Sequence, residues 1–209
     1  MDRFQDSELF TSLRSPFARR VRLAFFEHQI PFQEVLCDVF RPSAELIEVN
    51  PLARVPALRL ASGEILVDSH LILQEFYENR TSLWMPQDVS ARAQVCYWQA
   101  LAVGFSEKIV EYFLDSQRSE PLRDPEVQAE LHSAISRLLP RLEHRLRENL
   151  DPGILVGNHL TQADLDWGAA LSYLGLRVPE VFITSYPRIH AYLQNLESRP
   201  SFQKTKPPG

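Results

Sequence analysis

The chain has 209 residues, with 27 acidic side chains against 22 basic ones, a formal net charge of −5 and no long basic run, so nucleic acid is not an expected partner. That length supports one large or two small domains with real cores. The opening MDRFQDSELF is too polar for a signal peptide and no apolar run approaches the ~20 residues of a membrane helix, so a cytoplasmic protein without a membrane partner is expected.

The first 80 residues mix strand and helix signals at short spacing. Glu8 to Ser12 reads as a strand. Ser15-Pro16 then opens a helix, because Ser favours the N-cap and Pro the first helical position. Phe17, Val21 and Phe25 share one face of it, and Gln29-Ile30-Pro31 ends it. Arg19, Arg20 and Arg22 sit near the positive end of that helix, where cations are disfavoured. Their presence points to an anion bound nearby or, for Arg20 and Arg22, to packing and ion pairs. Phe32 to Val39 reads as a second strand and Pro42 to Glu48 as a weak helix. Leu58-Arg59-Leu60, a Ser62-Gly63 turn and Ile65-Leu66-Val67 form a hairpin pattern. A helix follows from Ser69 to about Asn79, with Leu71, Ile72, Phe76 and Tyr77 apolar, completing the order βαβαββα. Cys37 and Cys96 lack CxxC or histidine spacing, so neither a disulfide framework nor a metal site is expected and both read as buried thiols.

From Thr81 the pattern becomes helical throughout. TSLWMPQD, residues 81–88, is linker-like. Trp98, Leu101, Ala102, Phe105, Ile109 and Tyr112 mark one long helix over Val89 to Ser116. Asp124-Pro125 starts another, reaching about Leu150 and kinked at Pro140. Thr161 and Asp164 stand at capping-box spacing between two leucines and start a helix through Trp167, Leu171 and Leu174. The last helix opens at Tyr186-Pro187 and stops at Ser198-Arg199-Pro200, leaving Lys204 to Gly209 as a frayed tail. The expected organisation is an α/β domain over 1–80, a linker over 81–88 and an all-helical domain over 89–209.

Five stretches in this order, SPFARRVRLAF, NPLARVPAL, VDSHLILQEF, LTQADLDWGAAL and YPRIHAYLQNLESRPSFQKTKP, together resemble the cytosolic glutathione transferase superfamily. The first is most similar to tau-type and related serine-class bacterial enzymes, which carry Ser where omega-type relatives carry Cys. The resemblance implies an α/β plus all-α fold, a thioredoxin-like βαβαββα domain followed by a helical bundle. It also implies a two-fold homodimer that joins the thiolate of glutathione, its co-substrate, to a small hydrophobic electrophile without a metal.

The resemblance assigns roles to particular residues. A free thiol has a pKa of about 8.5, and lowering it by ~2 takes roughly 2.7 kcal/mol. A charge-assisted hydrogen bond supplies about 1.5 to 3 kcal/mol and a helix N-terminus roughly 0.3 to 1. Ser15 would donate to the sulfur, Ser being too weak an acid to serve as base; its alternative role is a cap alone. Val55-Pro56 would hold a cis peptide and leave the Val55 backbone to pair with the cysteinyl backbone of glutathione, as an added strand; an ordinary turn is the alternative. Ser69 would take the γ-glutamyl carboxylate at a helix N-terminus and Asp68 the neighbouring ammonium, or the pair would only cap. Arg54, where many relatives have Lys, would reach the glycyl carboxylate, with Arg41 a second candidate; either is otherwise solvated surface. Phe17, Phe105, Tyr112 and Phe113 would wall the electrophile pocket between the domains, although aromatics at helical spacing are more often core than pocket. Asp164 belongs to folding through its helix cap.

Two other functions remain open. One is a different glutathione-dependent enzyme, an isomerase or a peroxidase, although the double-serine and cysteine motif of the isomerase is absent. The other is a non-catalytic interaction or regulatory protein on the same fold, against which the retention of Ser15, Val55, Pro56, Asp68 and Ser69 argues.

Overall fold

The computed structural model describes residues 2–78, 80, 82–149, 151, 153–181 and 185–208. The expected helix ends at Asn79 and Leu150, Thr81 of the expected linker and the terminal Gly209 lie outside the described residues. Two compact units divide the chain, Met1–Ser82 with Pro200–Gly209, and Leu83–Arg199.

In the first unit β1 (Ser7–Thr11) is buried almost throughout because it is paired on both sides. It lies parallel to β2 (Phe32–Leu36) and antiparallel to β3 (Ala57–Arg59), which pairs in turn with β4 (Ile65–Val67), giving the order β2-β1-β3-β4. The parallel β1–β2 pair requires a crossover, supplied by α1 (Pro16–Glu27). β2 stops three residues short of the expected Val39, where the Asp38 side chain accepts from Phe40 N at 2.9 Å and turns the backbone. α2 (Ala44–Val49) is capped by Ser43, whose Oγ accepts from Leu46 N at 3.1 Å. α3 (Ser69–Glu78) packs on α1. Phe10, Ala18, Leu46, Val49, Val55 and Ala57 form one buried cluster. Phe4, Phe25 and Phe76 meet as a second, with ring centroids 5.1 to 5.9 Å apart.

The helical unit is built from α4 (Val89–Ser116), α5 (Pro125–Glu148), α6 (Gln162–Arg177) and α7 (Pro187–Glu197). Local caps set most of the starts. Asp88 accepts from Ala91 N at 2.9 Å, and Asp124 from Glu126 N at 2.9 Å and Val127 N at 3.3 Å. α5 runs through Pro140 to Glu148. α6 is buried nearly all round, the signature of a central helix. α4 packs along it, with Trp167 Nε1 donating to Trp98 O at 3.0 Å. Leu83 and Trp84 of the linker-like stretch are tied into this unit, since Gln162 N donates to Trp84 O and His159 Nε2 lies near Leu83 O, each at 2.9 Å.

The C-terminus differs from its expected place in the helical domain. Pro200 ends one helix but opens another, α8 (Pro200–Lys204), which packs on α1 in the first unit. Residues 204–208 continue from a docked helix, so the segment is not a free tail.

Candidate active site

The sheet register gathers the sequence motifs of the first unit at one edge. Phe10, Ala57 and Val67 lie in one cross-strand row, and Thr11 pairs with Leu36. The chain leaving β1 to Ser15, entering β3 through Val55-Pro56, leaving β4 into Asp68-Ser69 and leaving β2 toward Arg41 therefore all meet that edge. α1 and α3 begin there too, so two helix N-termini contribute positive potential.

Ser15 is the N-cap of α1, with Oγ accepting from Ala18 N at 3.2 Å. That bond uses a lone pair, and among the described residues no acceptor takes the hydroxyl hydrogen. Pro16 has no N–H, and the Phe17 N–H has no partner among the described residues, so the helix opens with one hydroxyl and one amide available. Val55-Pro56 is a cis peptide, and neither backbone group of Val55 is hydrogen-bonded among the described residues. Asn50 braces this turn, donating from Nδ2 to Arg54 O at 2.9 Å.

Asp68 is exposed and adopts φ 73°, left-handed for a residue that is not glycine. Its Oδ1 accepts from His70 N at 2.6 Å, closing the first turn of α3. Ser69 beside it is only 4 % exposed, and its Oγ accepts from Arg20 Nη1 at 3.0 Å. Arg41 and Arg54 are exposed. Cys37 shares the edge, its N–H donating to Thr11 O at 2.8 Å, but burial pushes its thiol up, away from the thiolate form. Cys96, expected buried, is exposed.

The three arginines of α1 separate by partner. Arg22 pairs with Glu34 through Nε at 3.0 Å and Nη2 at 3.2 Å. Arg19 donates to Thr205 Oγ1 at 3.2 Å and Phe202 O at 3.3 Å. Arg20 bonds to Ser69 at this edge, a placement the sequence flagged only as misplaced positive charge.

The four aromatics expected around an electrophile have different surroundings. Phe17 is half-buried on α1. Phe105 does not fit a pocket wall, being 2 % exposed with its ring 5.4 Å from Trp167 in the core of the helical unit. The Tyr112 hydroxyl donates to Glu180 Oε1 at 2.8 Å, and its ring borders a cleft of about 370 Å³ with Ser116, Glu120, Arg123, Pro125 and Gln128. Half-buried Phe113 lies 3.9 Å beneath the Arg177 guanidinium. No group of three or more His, Cys, Asp or Glu side chains among the described residues could hold a metal ion.

A family model for the glutathione S-transferase N-terminal domain matches residues 9–82, and one for the C-terminal domain matches 105–200. A glutathione S-transferase from Methylobacillus flagellatus KT, crystallised with GSH bound, is 30 % identical with a TM-score of 0.90, covering 97 % of this chain and 100 % of its own. The chain belongs to the glutathione S-transferase superfamily. A second transferase, from Methylobacterium radiotolerans in complex with glutathione sulfonate, is 26 % identical with a TM-score of 0.91 over 98 % of this chain and 96 % of its own. The uncharacterized GST-like protein YibF of Escherichia coli K12 is 27 % identical over 204 residues, 96 % of this chain and 98 % of that protein.

Proposed function

We propose that this protein is a glutathione transferase that joins the glutathione thiolate to small hydrophobic electrophiles, with Ser15 stabilising the thiolate. The Ser15 hydroxyl carries the proposal: it caps α1 through a lone pair while its hydrogen has no acceptor among the described residues. Support also comes from the available Phe17 N–H, the cis Val55-Pro56 turn and the GSH-bound relative. The thiol proton leaves to solvent, the thiolate held by the Ser15 hydroxyl and the helix N-terminus attacks the electrophile, and the new carbon–sulfur bond forms as the leaving group departs with its electron pair or, in an addition, as a double bond opens and the resulting carbanion takes a proton back from solvent.

In this assignment Val55 pairs with the cysteinyl backbone, Ser69 and the N-terminus of α3 take the γ-glutamyl carboxylate, and Asp68 takes the ammonium. Arg54, with Arg41 second, reaches the glycyl carboxylate, and Phe17 contributes to the electrophile's surroundings. The active form is taken to be a cytoplasmic homodimer, which sedimentation checks.

Calorimetry with glutathione and ultraviolet titration of the bound thiol test the proposal. Glutathione should bind, and Ser15→Ala should raise the bound thiol's pKa while the fold survives. An unchanged titration overturns the role of Ser15, and no binding overturns the site. Asp68→Ala should weaken glutathione binding, and unaltered affinity there removes the ammonium contact.

A further inference from the structure

One side chain, Asn50, ties together the turn that delivers Val55. It is 5 % exposed and closes α2 as its C-cap, its N–H donating to Leu46 O at 2.8 Å. Its backbone carbonyl accepts from Ala53 N at 2.8 Å, its Oδ1 accepts from Leu52 N at 3.1 Å, and its Nδ2 donates to Arg54 O at 2.9 Å. The two side-chain bonds need a donor and an acceptor on one short planar group, which Asn supplies and Asp does not. The bond to Arg54 O fixes more than the turn. The Arg54–Val55 peptide is trans, and in a planar trans peptide the C=O and N–H point in opposite directions. Holding Arg54 O toward Asn50 therefore turns the Val55 N–H away from it. Val55 is 9 % exposed, and among the described residues nothing accepts from that N–H. A backbone donor so largely buried calls for an acceptor.

We infer that Asn50 is a positioning residue that aims the Val55 N–H at the cysteinyl carbonyl of glutathione. The inference rests on the glutathione assignment of this edge. Asn50 acts through the plane of the Arg54–Val55 peptide and not through a contact of its own, so the ligand meets an amide already oriented and binding does not have to order it. Ala53, inside the brace, has φ 51°, left-handed for a residue that is not glycine, so without the Asn50 side chain the turn relaxes toward commoner backbone conformations and the Val55 amide turns with it.

Asn50→Ala removes both side-chain bonds, and Asn50→Asp keeps the acceptor for Leu52 N while removing the donor to Arg54 O. Both are to be compared with the parent for melting, for glutathione affinity by calorimetry well below the melting transition, and for hydrogen exchange at the Val55 amide, read in isotope-labelled valine with and without glutathione. In the parent, glutathione should slow exchange at Val55. Each variant should bind glutathione roughly tenfold more weakly, the equivalent of one hydrogen bond, and should lose most of that slowing. Asn50→Asp carries the test if the Ala variant does not melt cooperatively. Undiminished glutathione affinity in either folded variant, or weaker binding with Val55 still protected, overturns the role of Asn50 and leaves the site standing. Glutathione binding to the parent without slower exchange at Val55 overturns the Val55 pairing and the role of Asn50 with it. Failure of the parent to bind glutathione overturns the site and this inference together.

Discussion

The Ser15 oxygen has two separable jobs, and the choice of replacement distinguishes them. Its lone pair caps α1 through Ala18 N, and its hydrogen is the proposed donor to sulfur. Ala and Gly both remove the donor, so both should raise the bound thiol's pKa by about 1 to 2, the equivalent of one charge-assisted hydrogen bond. Gly tolerates the N-cap, where Ala does not. Ser15→Ala should therefore cost roughly 0.5 to 2 kcal/mol in urea unfolding and Ser15→Gly only a few tenths. If thiol pKa followed stability across the two variants, the catalytic role would collapse into the cap. The cap was legible in Ser15-Pro16 because it is written in adjacent residues. Which way the neighbouring arginines turn was not, because Glu34, Ser69 and Phe202 lie 12, 49 and 183 residues from their respective partners.

The same division between local and distant partners governs whole elements. α4, α5 and α6 begin where the sequence placed them, since Asp88, Asp124 and the Thr161–Asp164 pair cap within three residues. The start of α7 has no local side-chain cap. Glu143 of α5 accepts from Arg188 N at 3.2 Å and Ile189 N at 2.9 Å instead, a carboxylate that periodicity could not match to its helix. Glu143→Ala leaves those amides without that acceptor and should cost about 1 to 3 kcal/mol, with Glu143→Gln recovering part of it, measured by chemical denaturation. α8 was missed for a related reason. Pro200 serves as a stop after α7 and as the first residue of a new helix, and the destination of that helix depends on Arg19. Phe202 is 1 % exposed with the Arg19 guanidinium 5.2 Å from its ring. Phe202→Ala should therefore destabilise the protein by about 3 to 5 kcal/mol, far beyond the effect of a change in an undocked tail, as equilibrium urea unfolding would read.

Across the whole molecule, a half-buried imidazole and a buried carboxyl give the units opposite responses to acid. In the first unit burial, with the Arg80 charge second, pushes the His28 imidazole down to about 4. A base with a depressed folded pKa contributes its stability fully above its ordinary 6.5 and loses it as pH falls toward 4. In the helical unit burial raises the Asp164 carboxyl to about 6 despite four donors, Thr161 N and Oγ1, Leu155 N and the Tyr192 hydroxyl. An acid with a raised folded pKa contributes fully below its ordinary 3.8, and that contribution fades as pH rises through 6. The gap between 3.8 and about 6 corresponds to at most about 3 kcal/mol. Between pH 6 and 4 the His28 effect therefore lowers stability while the Asp164 effect raises it, and the parent protein reports only their difference. Replacing one group at a time separates them. Relative to the parent, urea midpoints of His28→Gln should fall less on acidification, and those of Asp164→Asn should fall more steeply, even though Asp164→Asn begins from lower stability through its disturbed cap. Parallel profiles for parent and both variants would show that neither titration is coupled to folding.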